Sequence, residues 1–449
     1  MPVTSRSLLA AAGGLLAVTA IVLLTIVSIG TVEHRSATVR FVAQVGPLEP
    51  EKYAPERVPD IENATRWIQR GSDALRFESD GPGLEGDRHW IERCATEGPA
   101  VIPADRLETV RAALSRNEPA FADVDKAIAL PRSSWNIDYE NGATADLPDL
   151  LAGIRLAKAL ACDGRLAIAE GDAARATRRI EALGRMARAY QIEPAMVVFL
   201  VGIAVERIQL VVVRDALASD AMPPDALVAV DASLGDAPLR DRWRASIAAD
   251  AAAIHRTLQR TGAPGDHHAA GPWERVAQRA LWSIAGQLWM AEHLDRTTRL
   301  HAAFETVPTR SAKVEASLLA PRPWWAKLFP DVLPNLMNGL ERAAATETQR
   351  TLARRAIGIR LEAIVTRTYP PALDPPSTPA DDPFSGEPFA WSVAADGSAT
   401  LSAPATAREA PKVLLAVDEG WWTFRLPPPK APTPPPAPSP APGGPPPAP

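Results

Sequence analysis

No charged residue occurs between Arg6 and Glu33. The run between them, Leu8–Val32, is apolar almost throughout, with Leu15, Val18, Ile21, Leu24, Ile26 and Ile29 among its larger side chains. An α-helix rises about 1.5 Å per residue and the hydrocarbon core of a bilayer is about 30 Å thick, so about 20 apolar residues cross it. Gly13 and Gly14 are tolerated in such a helix, which satisfies its backbone internally. The stretch predicts a single N-terminal transmembrane helix, residues 1–32, acting as a signal-anchor. A cleaved signal peptide is the competing reading. Ser28 and Gly30 supply small residues at cleavage spacing, but a signal-peptide apolar region runs about 7–15 residues, shorter than this one.

Charge flanking the span sets its orientation. Arg6 and the terminal amine lie on one side, and Arg35 and Arg40, offset by Glu33, lie on the other. The short N-terminal tail beside a signal-like segment favours a cytoplasmic N-terminus. The bulk of the chain is then expected outside the cytoplasm, at a bacterial inner membrane crossed once. The bacterial reading comes from composition: arginine greatly outnumbers lysine and alanine is abundant, as in high-GC genomes.

A net charge of −5 over 449 residues gives no field that would steer nucleic acid to the chain, so no nucleic-acid partner is expected. The two cysteines, Cys94 and Cys162, both fall in helical-looking sequence. They read as buried small hydrophobes, although an extracytoplasmic setting would permit a disulfide.

Beyond the anchor the chain divides by composition. Residues 33–59 hold Pro47, Pro50, Pro55 and Pro59 and few periodic apolar positions, and read as a tether. Residues 60–370 read as a mainly α, multi-helix bundle domain. Asp60 stands as N-cap for a helix carrying Ile61, Ala64 and Ile68. Leu147, Leu150, Leu151 and Ile154 share helical spacing and open a longer helix. Gly171 permits a turn and Asp172 caps a second helix, which buries Ala176, Ile180, Leu183, Ala187 and Tyr190. So short a turn makes the two helices antiparallel. This is one helical hairpin, without the period of a repeat array.

Met196–Val205 and Val211–Val213 form a second strongly apolar stretch. As a membrane span it would place Glu206 and Arg207 near mid-bilayer, at about 2.5–3.5 kcal/mol each. It is therefore expected as the central core helix. Further helices are expected over about 238–260, over a face running from Trp273 to Ala291, and over about 336–368.

A small β lobe is expected over 371–426. Phe389, Trp391 and Val393 alternate as in a strand, Asp396 and Gly397 mark a hairpin, and Thr400–Ser402 return. Val413–Val417 and Trp421–Leu426 read as two more strands. Residues 427–449 are a disordered, proline-rich tail.

Chemistry-bearing motifs are few. His267 and His268 are adjacent but have no further metal ligands at recognisable spacing, and His293 and His301 lie two turns apart on one helix. No P-loop, zinc-protease or nucleophile-elbow sequence occurs. No cofactor and no metal are expected, and no catalytic residue is identified. The pairs Trp324–Trp325 and Trp421–Trp422 are expected to fill a joint between subdomains.

One stretch carries a resemblance. A long helix ends in Arg367, Thr368, Tyr369, Pro370 and Pro371, and Asp382, Pro383, Phe384, Gly386, Pro388, Phe389 and Trp391 follow, then Asp396 and Gly397. This resembles the C-terminal pattern of the major pseudopilins of type II secretion. It is also similar to the ending of large uncharacterised membrane-anchored bacterial proteins. The departures are specific. Gly13 and Gly14 lead into Leu15–Thr19 without the glutamate of a pilin helix, and Ser398, Ala399 and Thr400 replace an acidic calcium loop. The resemblance implies a local fold, not filament assembly or calcium binding. Taken together, the chain is expected to be a non-enzymatic interaction or scaffold protein of the envelope, with an envelope or secretion-system protein as partner. An extracytoplasmic hydrolase with a site dispersed in sequence is the alternative.

Overall fold

In the computed structural model the apolar N-terminal run belongs to one long helix, α1 (Ser5–Gln44). The structure describes residues 5–77, 86–261, 272–304, 336–373, 382, 385–404 and 422–429. Within the helices, side chains 5–20, 22–23, 261, 272–285 and 336–338 are outside that description, so most of the Leu8–Val32 surface lies beyond it.

The expected tether begins differently from its prediction. From Glu33 to Gln44 the chain continues α1, and Ala37 and Phe41 are fully buried. No proline or glycine interrupts the helix between Gly30 and Gly46, and Ala37 and Phe41, four apart, share a face that docks on Ala251, Ala291 and Leu294. Gly46 and Pro47 then end the helix.

Among the described residues, nine α-helices follow as far as residue 261: α2 (Ala64–Ala74), α3 (Asp87–Glu97), α4 (Ala104–Arg116), α5 (Glu118–Ile128), α6 (Leu150–Glu170), α7 (Ala173–Gln191), α8 (Met196–Ala218), α9 (Pro224–Ser233) and α10 (Leu239–Thr261). The long helices α11 (Pro272–Ala303) and α12 (Leu336–Thr366) follow. The protein is mainly helical, as expected.

Two helix starts differ from expectation. The cap of α2 is Asn63, whose side chain accepts from Thr65 N, while Ile61 is exposed. Asn63 wins because its amide also donates to Ser134 O at 2.7 Å, a tie to a distant loop. Helix α6 begins after its cap Asp149, so Leu147 lies outside it and Leu151 is exposed. Leu150 and Ile154 pack against the core, and the buried face continues through Leu156, Leu160 and Leu166. The turn into α7 is as expected: Gly171 has φ +77°, and the Asp172 side chain accepts from Arg175 N. All five apolar positions predicted for α7 are buried.

Helix α8 runs through the centre of the bundle. Among the described residues it is the helix long and apolar enough to cross a membrane, yet 67% of its apolar window is buried within the protein. Its Val198, Val205, Val212 and Val213 join the main core, built from α2–α9, α12 and the sheet. Smaller clusters tie α10 and α11 to that body through Trp243 and Phe304, and tie α1 through Phe41.

The three-stranded antiparallel sheet has the order β1 (Ala390–Val393), β2 (Ala399–Ser402), β3 (Thr423–Leu426). Gly397, at φ +80°, makes the expected hairpin turn. Leu401, Phe424, Leu426 and Trp422 pack into the main helical core, so the sheet is an appendage sharing that core. Residues around Tyr369, Asp382 and Trp391 stitch it on. Tyr369 Oη donates to Pro427 O at 2.7 Å, Trp391 Nε1 donates to Pro370 O at 3.0 Å, and the two rings meet edge to face. Asp382 accepts from Ser385 N and Oγ and from Thr348 Oγ1 of α12. The strand expected at Val413–Val417, the residues Trp324, Trp325 and Trp421, and nearly all of the proline-rich tail lie outside the described residues.

Candidate functional site

A cleft with a polar lining lies between the 3-10 turn Pro50–Lys52 and the segment Ser134–Glu140. Sequence alone gives no hint of it, because its walls are drawn from stretches about 80 residues apart. Asn136 sits there with φ +51°, a left-handed conformation that asparagine tolerates better than most residues. Its side chain makes both hydrogen bonds that a paired strand would make to Val58, accepting from N and donating to O at 3.3 Å each.

Beneath the cleft a buried carboxylate organises the wall. Glu193 Oε1 accepts from Trp135 N and Oε2 accepts from Tyr139 Oη, both at 2.7 Å. Trp135 stacks on Tyr190 at 4.7 Å between ring centres and donates its indole N–H to Ala189 O. Burial raises the pKa of Glu193, and burial with the nearby Glu193 charge raises that of Tyr139. Asp250, on α10, accepts from Met196 N at 3.1 Å, and burial pushes it up to about 7.

The arrangement limits the chemistry. Both oxygens of Glu193 are engaged by donors from the wall itself, so the carboxylate holds the loop in place. The cavity measures about 150 Å³, below the about 300–1,000 Å³ of pockets that enclose a small-molecule substrate. Its Glu51 is already bound by Arg256, and Arg260 donates to Glu140 O.

A second polar centre lies deep in the bundle. Glu206, at the middle of α8, takes two hydrogen bonds from Arg350 of α12 and one from Gln191 at 2.6 Å. Gln209, one turn on, donates to Ile180 O and Ser233 Oγ. Burial lowers the pKa values of Arg188 and Arg242 around it and, with Arg342 nearby, brings Arg207 down to about 9. This network cross-links α7, α8, α9 and α12 where lipid would have no partners to offer.

Of the histidines singled out by sequence, the structure describes His293 and His301. His267 and His268 lie outside the described residues. His293 is buried and stacks on Trp289 at 5.4 Å, and His301 lies 3.4 Å from Arg244. Cys94 and Cys162 are buried, free thiols, with Cys94 Sγ 3.9 Å from Cys162 O. Among the described residues no three histidine, cysteine, aspartate or glutamate side chains gather as metal ligands. The histidine pair that does meet, His34 with His255, joins residues 221 positions apart, which no local motif could reveal. The chain matches no family model, no curated protein and no solved structure.

Proposed function

We propose that this chain is a single-span, membrane-anchored helical scaffold of a bacterial envelope, with its bulk outside the cytoplasm and a protein as its partner. The observation that carries the reading is the continuity of α1. One 40-residue helix, about 60 Å long at about 1.5 Å per residue, is twice the thickness of a hydrocarbon core. Its inner end is buried in the body through Ala37 and Phe41, while Ile21, Leu24, Ile29 and Val32 are exposed. Exposed apolar side chains on the stretch of helix that leads into a folded body are what an anchor rather than a core helix presents. The membrane orientation of the body is then fixed by the helix, a property useful to a scaffold. The ending around Tyr369 and Trp391 supports a secretion-linked partner through its resemblance to pseudopilins.

Fractionation tests the anchor. The full chain should stay with membranes through alkaline carbonate and leave with detergent, and deletion of residues 2–32 should release a folded body. Recovery of the intact chain in the soluble fraction would sink the reading. Crosslinking in intact cells followed by mass spectrometry tests the partner, and a reproducible protein adduct is expected. A reporter fused after Pro449 that is active only in the cytoplasm would reverse the orientation.

A further inference from the structure

His34 on α1 and His255 on α10 aim their Nε2 atoms at each other, 3.1 Å apart, with ring centres at 5.3 Å. A head-on contact of this length is a hydrogen bond, and it needs one Nε2 that carries a hydrogen and one that does not. Two neutral imidazoles meet that condition by taking opposite tautomers. One added proton also preserves it, because an imidazolium can donate to the neutral ring. A second proton destroys it. Two N–H groups then face each other on two positive rings, with no lone pair between them.

The surroundings do not neutralise that charge. His255 is 5% exposed, and the charges acting on it among the described residues are His34 and Arg256, both positive. Arg256 is held in turn by Glu51 of the turn Pro50–Lys52. The amides beside the rings, Gln287 of α11 on His34 and Gln259 at 3.4 Å from His255 Nε2, carry no charge. On α11, Asp295 is taken by Arg40, and His293 stacks on Trp289. Asp250, earlier on α10, accepts from Met196 N, and Glu347 of α12 accepts from Leu239 N at the far end of α10. Asp138 and Glu140, beside the segment packed on α10, are exposed, as are Glu33 and Arg35 on either side of His34.

We infer that the His34–His255 pair is a pH switch on the docking of α1: it holds the C-terminal part of α1 against α10 while at most one ring is protonated, and drives the two helices apart when both are. The direction follows from the rings themselves. Burial lowers both pKa values from 6.5, and with the charges of His34 and Arg256 it brings His255 to about 4. The contact is therefore whole above pH 6.5 and weakens as pH falls from there toward about 4, because separated rings take up protons that docked rings refuse. Release uncovers the face of α1 that carries Ala37 and Phe41. The switch acts between α1 and the body and requires nothing of Leu8–Val32, so it goes beyond the proposed anchoring.

The test uses the full chain in detergent with spin labels on Val42→Cys of α1 and Ala245→Cys of α10, both exposed positions, while Cys94 and Cys162 stay buried. Pulsed distance measurements should give one narrow distance at neutral pH. A longer, broader population should grow reversibly on acidification, its ratio to the docked form rising about 10- to 100-fold per pH unit for one or two protons taken up. Circular dichroism should show the helices intact over the same range. His34→Gln and His255→Gln each keep a hydrogen-bonding side chain and leave one titratable ring, so each should stay docked where the parent opens. Arg256→Gln leaves the pair intact but removes a like charge, and should move the opening to lower pH. A parent that stays docked down to about pH 4, glutamine variants that both open like the parent, or an Arg256→Gln chain that opens at higher pH would each overturn the assignment.

Discussion

Arg350 of α12 grips Glu206 of α8 at two points inside the bundle, Nε to Oε1 at 2.5 Å and Nη2 to Oε2 at 2.8 Å. Both side chains are almost wholly buried, at 5% and 2% exposed. Removing one partner strands the other charge, which costs about 3–5 kcal/mol, whereas replacing a buried pair by well-packed apolar residues is often neutral or stabilising. Glu206→Ala and Arg350→Ala should each lower stability by about 3–5 kcal/mol in urea unfolding. The double variant Glu206→Leu, Arg350→Met should recover most of that loss. A double variant no more stable than either single one would show that Gln191 and the Arg350 bond to Ala237 O carry the site instead.

Asp250 gives the fold a pH dependence of known sign. Burial raises its folded pKa from 3.8 to about 7. The native state therefore holds a proton that the unfolded chain releases, and stability falls as pH rises between those values. At about 1.36 kcal/mol per pKa unit the change is at most about 4 kcal/mol. Asp250→Asn should remove that slope and leave the protein more stable than its parent above pH 7. Denaturant midpoints measured across the window, in parent and variant, check it. Because His34 and His255, lowered by burial, push the parent's stability the other way as pH rises, the difference between parent and variant is the readout, and midpoints that run parallel through the interval would contradict the burial of this carboxyl.

Helices α7 and α8 approach closely at Gly202. A methyl group there would lie 2.9 Å from Gln191 N and 3.0 Å from Ala187 O, both backbone atoms. Backbone cannot turn aside as a side chain does, so Gly202→Ala should destabilise the bundle by about 1–3 kcal/mol despite the better helix propensity of alanine. Gly358, on α12, has nothing within 4 Å of such a methyl group. Gly358→Ala should be neutral or stabilising by a few tenths of a kcal/mol, up to about 1. Thermal melts of the two variants should move in opposite directions.

Cys94 and Cys162 are fully buried, and burial, with Cys94 beside it, raises the Cys162 thiol well above its ordinary value. The reactive species is the thiolate. Under native conditions both thiols should resist alkylation, and labelling should track global unfolding. Rapid labelling of the folded protein would mean that α3 and α6 separate locally.

What the sequence disclosed about the fold was mostly local. The Gly171–Asp172 turn depends on one left-handed residue and one cap, both visible within four positions. Helix α8 was legible because the cost of Glu206 in lipid argues against a span whatever its partner is. The start of α2 was misplaced because Asn63 is chosen by its bond to Ser134, 71 positions away. The first turns of α6 were half legible: Leu150 and Ile154 pack against the core, whereas Leu147 precedes the cap Asp149 and Leu151 is exposed. The polar cleft and the His34–His255 pair join distant segments, and no spacing rule reaches that far. The continuation of α1 to Gln44 did leave a signal, the Ala37–Phe41 pair within a stretch free of proline and glycine.

Phe41 should decide how firmly the C-terminal part of α1 is held. Its ring is fully buried among Ala37, Ala251, Ala291 and Leu294, and deleting a buried aromatic ring costs about 3–5 kcal/mol. One residue away, Arg40 reaches Asp295 at 2.7 Å, but the two side chains are 46% and 30% exposed, and such a pair is worth about 0–1 kcal/mol. The two substitutions therefore separate packing from charge on the same turn of helix. Phe41→Ala should free the C-terminal part of α1 and open the connection 45–58 to limited proteolysis, while Arg40→Ala should leave the cleavage pattern close to that of the parent. Both variants keep Leu8–Val32 unchanged, so on the proposed anchoring both should remain with membranes. If Phe41→Ala leaves 45–58 as protected as before, α1 is held by its other neighbours, among them Leu288 and Gln287, which crowd Gly30. Gly30→Leu, which cannot fit against those two side chains without moving the helix apart, would then be the substitution that releases it.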